Sequence, residues 1–89
     1  MDKTIRHEPD ADRFTVATGG EPAVLDYQLL PAANASGPMT VDFTSTYVPA
    51  AYRGQGIAEA LVRHGLRWAK GQGYDIQASC WYVAKFLRR

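Results

Sequence analysis

The stretch Arg53-Gly54-Gln55-Gly56-Ile57-Ala58 stands where the spacing of apolar residues changes from two to the helical period, and the rest of the chain is read outward from it. Before it, Met39, Val41, Phe43, Ser45 and Tyr47 alternate with Thr40, Asp42, Thr44 and Thr46, which predicts a strand with two unlike faces. Pro49 cannot donate to a ladder, so the strand is expected over 40–48, followed by a turn through Ala50-Ala51-Tyr52. After the stretch, Ile57, Ala58, Leu61, Val62, Trp68 and Ala69 recur at spacings of three, four and seven. They predict one long helix over 56–72, with Glu59, Arg63, Arg67 and Lys70 on its wet side and Gly71 or Gly73 closing it.

A strand that passes through two glycines into a helix makes an anion site in principle. The first helical amides have no partner inside the helix, and the dipole adds roughly half a positive charge at that end. Glycine lets backbone approach a ligand closely, and Arg53 offers a forked, permanently charged donor. On these residues alone, the glycines serving only a tight turn remains an open reading. A nucleotide P-loop is excluded, because no Gly-Lys-Ser/Thr follows at the required spacing. A dinucleotide fingerprint fails because Glu59 stands where its third glycine belongs, and that carboxylate would oppose a pyrophosphate.

Further out, Tyr74 to Cys80 reads as a final strand and Trp81 to Arg89 as a short closing helix. A helical crossover between strands 40–48 and 74–80 makes that pair parallel. Upstream, Thr4–His7, Arg13–Thr18 and Ala23–Leu30 read as strands of consecutive hairpins, separated by Glu8-Pro9-Asp10-Ala11-Asp12 and Gly19-Gly20-Glu21-Pro22. Leu25, Tyr27 and Leu29 share one face, Asp26 and Gln28 the other. The expected class is α+β (mixed α/β), a mainly antiparallel sheet in a single domain over 1–89.

At 89 residues there is room for one small core, which three Phe, five Tyr and two Trp help to fill. A net charge of +1 argues against nucleic acid or an acidic membrane as the main partner, so any anion is held locally. The basic cluster Lys85, Arg88 and Arg89 is either a meeting point for an anionic ligand or a solvated helix end. One cysteine, Cys80, forms no internal disulfide, and no stretch reads as a signal peptide or a membrane span; a reducing, cytoplasmic setting is expected.

Three segments in order carry a family resemblance: Thr46-Tyr47-Val48-Pro49, Arg53-Gly54-Gln55-Gly56-Ile57-Ala58-Glu59-Ala60-Leu61 and Ser79-Cys80-Trp81-Tyr82-Val83-Ala84. Together they resemble the small single-domain YjdJ-like branch of the GNAT N-acetyltransferases, over roughly residues 23 to 87 including Tyr27. A histidine often precedes the first segment in that branch; Ser45 stands there in this chain.

The resemblance implies that acetyl-CoA is the cofactor and that its pyrophosphate lies on Arg53, Gly54, Gln55, Gly56, Ile57 and Ala58. Its pantetheine would pair with backbone near Tyr47 and Val48, with the thioester pointing towards Cys80. An amine of ordinary pKa near 10.4 must lose a proton before it can attack. Cys80 is either a nucleophile that takes the acetyl group covalently or a packing and pantetheine contact. Tyr82 is either a proton donor to the departing CoA thiolate or a core aromatic. Ser45 and Thr46 either order a water or face solvent.

His7 and His64 lack a second ligand at zinc spacing and read as surface residues, while Trp68 and Trp81 read as core or lid packing. The acceptor is an amine that the residues leave unidentified. Only a short turn joins the first strands, so a dimer or protein partner is expected to complete the acceptor site. A CoA-binding module without turnover, and an interaction domain without cofactor, are the competing readings.

Overall fold

The computed structural model describes residues 4–32, 34 and 36–87. Among these, five strands form one sheet: β1 (Ile5–Glu8), β2 (Arg13–Val16), β3 (Ala23–Leu30), β4 (Thr40–Tyr47) and β5 (Asp75–Ala78). They lie in sequence order, antiparallel except that β4 and β5 are parallel. Helix α1 (Ile57–Gln72) makes the crossover between β4 and β5, and α2 (Trp81–Leu87) follows β5. The expected mixed α/β architecture is therefore present, with element ends moved by one or two residues; positions 88 and 89 of the closing helix lie outside the described residues.

The core lies between one sheet face and the helices. Phe14, Val16, Ala23, Leu25, Tyr27, Val41 and Phe43 come from the sheet, Ile57, Leu61, Val62 and Ala69 from α1, and Val83 from α2. α1 approaches closely because Gly65 has no side chain: a Cβ there would stand 2.8 Å from Leu25 Cδ2 and 3.0 Å from Phe43 Cε1. Gly73, in the left-handed region at φ 75°, closes the helix by donating its N–H back to Lys70 and Ala69 carbonyls.

The simple alternation along β4 does not hold over its whole length. Tyr27 pairs with Phe43 but Leu25 pairs with Thr46, so two steps along β3 match three along β4. The additional residue is a bulge that reverses the faces beyond it. Ser45 and Tyr47, expected beside Val41 and Phe43, instead pair with Asp26 and Val24 on the opposite face, and Thr46 takes the helix side.

The surface assignment of the histidines is also corrected. His7 is half-buried, stacked on Phe14 at 4.2 Å between ring centroids, edge-on to Trp68 at 4.9 Å, and its Nε2 lies 2.7 Å from Tyr27 Oη. His64, also half-buried, meets Phe14 edge-on at 5.3 Å. Aromatic rings on β1, β2 and β3 provide this setting, which no short-range pattern encodes.

Candidate active site

The parallel ladder between β4 and β5 ends at Phe43 and Ala78, and Cys80 N–H then donates to Phe43 C=O at 3.1 Å. Beyond that point α2 turns away, and among the described residues no strand pairs with 44–47 on this side. The divergence opens a cleft of about 360 Å³ lined by Thr46, Tyr47, Val48, Arg53, Ala58, Cys80, Trp81 and Tyr82. It continues into a hollow of about 300 Å³ against Gly54, Gly56 and the first turn of α1, the two sharing Val48, Arg53, Ala58 and Tyr82.

Every residue expected to bind cofactor lies in or beside these two hollows, with unequal parts. Gly54 and Gly56 sit at φ 81° and 78°, the left-handed region that a side chain would strain. The first helical bond runs from Ala60 N–H to Gly56 C=O at 3.0 Å, so the amides of Ile57, Ala58 and Glu59 precede it. No side chain caps this end. Ile57 buries its side chain in the core and brings only its backbone to the turn, whereas Ala58 faces the cleft. Exposed Gln55 lies between the two glycines. Arg53 Nε donates to Val48 C=O at 2.9 Å, which ties the turn to the end of β4 and leaves the two Nη groups as its charged donors.

Cys80 immediately precedes α2 and is half-buried. Burial pushes its thiol up, but this is outweighed by hydrogen bonds from the Val83 amide, the Thr46 hydroxyl and the amides of Tyr82 and Thr46, so the thiol lies below its ordinary value of 9.0. Thr46 Oγ1 stands 3.6 Å from Cys80 Sγ, a contact made by the reversed face of β4. Tyr82 borders both hollows. Burial pushes its phenol up, Glu59 adds to the effect and Arg63 opposes it, so Tyr82 keeps its proton at neutral pH.

Trp81 is 72% exposed and walls the cleft, so the core alternative for it is corrected in favour of a lid position. Trp68 does pack against the core. Tyr47 Oη donates to Glu21 Oε1 at 3.4 Å, and Gly19 N–H donates to Tyr52 Oη at 2.9 Å, so the β2–β3 turn is fastened beside the cleft mouth.

Two residues of the site's frame carry no signal as a motif. Asp42, 6% exposed on the face away from the helices, accepts from Ser79 N–H at 2.8 Å and from Ser79 Oγ at 2.7 Å. This clamp fixes the residue before Cys80. A carboxylate inside an otherwise apolar and hydroxyl-bearing strand was the available hint.

Comparison with known proteins bears on the family and the fold of the chain. The family model of the GCN5-related N-acetyl-transferases matches residues 13–89. Protein NATD1 of Bos taurus is 34% identical over 86 residues, 94% of this chain and 71% of that protein. Protein NATD1 of Gallus gallus and of Homo sapiens are each 33% identical over 94% of this chain, covering 73% and 71% of their own lengths. Among solved structures, the ribosomal-protein-alanine N-acetyltransferase of Brucella melitensis biovar Abortus 2308 superposes with a TM-score of 0.64 at 20% identity. The superposition covers 76% of this chain and 50% of that one, a likeness of fold. The matched family model spans the glycine turn, the crossover and the cysteine alike, and the chain belongs to the GCN5-related N-acetyltransferase (GNAT) family.

Proposed function

We propose that the chain binds acetyl-CoA in the cleft between β4 and α2 and transfers the acetyl group to an amine. The observation that carries this reading is the cleft itself: an open strand edge at one end, unpaired helix amides behind two left-handed glycines at the other, and Cys80 between β5 and α2. The pyrophosphate lies on the amides of Ile57, Ala58 and Glu59 with Arg53 Nη groups beside it. The pantetheine pairs with the unpaired edge near Tyr47 and Val48.

The lowered thiol of Cys80 supports a two-step transfer. Its thiolate attacks the thioester carbonyl, the bond to CoA sulfur breaks, and the departing thiolate takes a proton from Tyr82. A neutral amine then attacks the S-acetyl group, loses its proton to solvent or to the tyrosinate, and Cys80 returns to thiolate. The alternative, a CoA-binding module without turnover, shares the first binding step only.

Acetyl-CoA at about one hundred times its dissociation constant should stabilise the fold by about 2.7 kcal/mol, a rise in melting temperature of roughly 10 °C or more. Ala58→Glu should abolish that rise; it is a cleaner probe than Gly56→Glu, whose backbone at φ 78° no side chain enters without strain. An unchanged melting temperature with acetyl-CoA would remove the reading. Thiol release with an amine panel separates transfer from binding alone, and an acetyl group on Cys80 in mass spectra separates the two-step route from direct attack.

A further inference from the structure

The two hollows do not end at the glycine turn. Glu59 and Tyr82, which border it, also line a third hollow of about 300 Å³ with Lys85 and Phe86. Phe86 in turn forms a wall of a wider groove between α1 and α2 that holds Arg63, Arg67 and Lys70. The hollows thus adjoin one another through shared lining residues, a broken trench from Cys80 past the turn and along α2.

We infer that this trench holds the nucleotide end of the cofactor, with Lys85 and Arg63 forming a phosphomonoester site for the 3′-phosphate of coenzyme A. The inference rests on the acetyl-CoA reading above. Pyrophosphate lies in the middle of coenzyme A, so with pantetheine in the cleft and pyrophosphate at the turn, the 3′-phosphoadenosine must leave by the other exit, over Tyr82. Arg63 is six residues along α1 from Ile57, about 9 Å of axial rise, a distance that a ribose bearing a 3′-phosphate bridges.

Both cations are held in place by aromatic rings of α2. Lys85 Nζ lies 5.2 Å from the ring centroids of both Trp81 and Tyr82, and Arg63 Cζ lies 5.9 Å from that of Phe86. Glu59 is the acidic residue of this stretch, and its carboxylate accepts from Arg63 Nε at 2.8 Å, which leaves the Arg63 Nη groups for an anion. Lys85 has no carboxylate partner among the described residues. A dianionic phosphate is the group that two cations of this kind discriminate, whereas a neutral ribose hydroxyl gains nothing from them.

Calorimetric titration of the full chain with coenzyme A and with 3′-dephospho-coenzyme A tests the site. Exposed charge pairs are individually weak, so a preference of roughly fivefold for coenzyme A is expected, shrinking as salt is added. Lys85→Met, which keeps the apolar stem on Trp81 and Tyr82, should cut most of that preference and leave the affinity for the dephospho form unchanged. Lys85→Arg should retain it. Equal affinity of the unaltered chain for the two ligands, or a preference that survives Lys85→Met combined with Arg63→Gln, overturns the site while leaving acetyl-CoA binding standing. Failure of both ligands to bind removes the acetyl-CoA reading and this site with it.

Discussion

Asp42→Ala removes the clamp on the junction between β5 and α2 and so tests whether that junction is what positions Cys80. The carboxylate is 6% exposed and accepts from two Ser79 donors at 2.8 and 2.7 Å. Hydrogen bonds to a charged acceptor contribute about 1.5–3 kcal/mol each, so two set an upper range of roughly 3–6 kcal/mol. Two effects reduce it. Ser79 is exposed, so water takes over its donors once the carboxylate is gone, and the cost of holding a charge out of water is relieved. A net loss of about 2 kcal/mol follows, equivalent to a fall in melting temperature of roughly 8–16 °C for a domain of this size. Ser79→Ala, which removes the hydroxyl alone, should cost less.

The functional consequence is local. Without the clamp, Cys80 is no longer held against Phe43 C=O and the amides of α2 that lower its thiol, so alkylation by iodoacetamide at neutral pH should slow. Urea unfolding reads the first effect and the alkylation rate the second. An Asp42→Ala protein within about 0.5 kcal/mol of the original and alkylated at the original rate would refute the clamp, because surface substitutions behave that way.

Three other outcomes follow from single contacts. His7 is held below its usual 6.5 by burial first and by His64 second, with Asp12 opposing, so the unfolded chain takes up a proton before the folded one. The contribution is full above 6.5 and is lost as pH falls from there through the folded value; urea midpoints should drop as pH is lowered below 6.5, less so in His7→Gln, and a flat profile contradicts this. Gly65→Ala should lower stability by about 1 kcal/mol, since overpacking against Leu25 and Phe43 costs roughly 1–3 kcal/mol and helix propensity returns about 1; a higher melting temperature would show that the helix yields. Thr46→Val removes the hydroxyl from Cys80 Sγ and should move the pH dependence of alkylation upward, whereas an unmoved profile would assign the lowered thiol to backbone amides alone.

What was legible in the chain was local. The period-two run at Leu25, Tyr27 and Leu29, the helical spacing from Ile57 to Ala69 and the Gly73 stop each follow from neighbours within a turn or two, and each appears where expected. The glycine turn was legible for the same reason, because a left-handed residue before a helix is a local demand that glycine meets. Partners far apart in sequence were not. His7 finds Tyr27 across twenty residues and Trp68 across sixty-one, and nothing near His7 distinguishes it from a surface residue. Asp42 and Ser79 are likewise ordinary until the parallel pairing of β4 and β5 brings them together.

The bulge in β4 is the case with most consequence for the site. Alternation through Thr44, Ser45 and Thr46 reads as an unbroken strand because all three are small hydroxyl residues, and only the register against β3 shows that one is additional. A bulge bends its strand, and here the bend falls where β4 leaves β5 and the cleft begins. Deleting Thr44 separates bending from facing. Without Thr44, Ser45, Thr46 and Tyr47 follow Phe43 directly, and plain alternation turns them outward, inward and outward, the faces they hold now; an unbulged strand that kept Thr44 would reverse them. 

The core contacts and the Thr46 side of the cleft are therefore kept, while the strand straightens and stays alongside β5. The shortened protein should keep its circular dichroism and a cooperative melt but lose the stabilisation by acetyl-CoA, because the edge that the pantetheine would pair with is closed. A shortened protein that still responds fully to acetyl-CoA would show that the bulge sets which side chains face the cleft and that something other than the bend opens it.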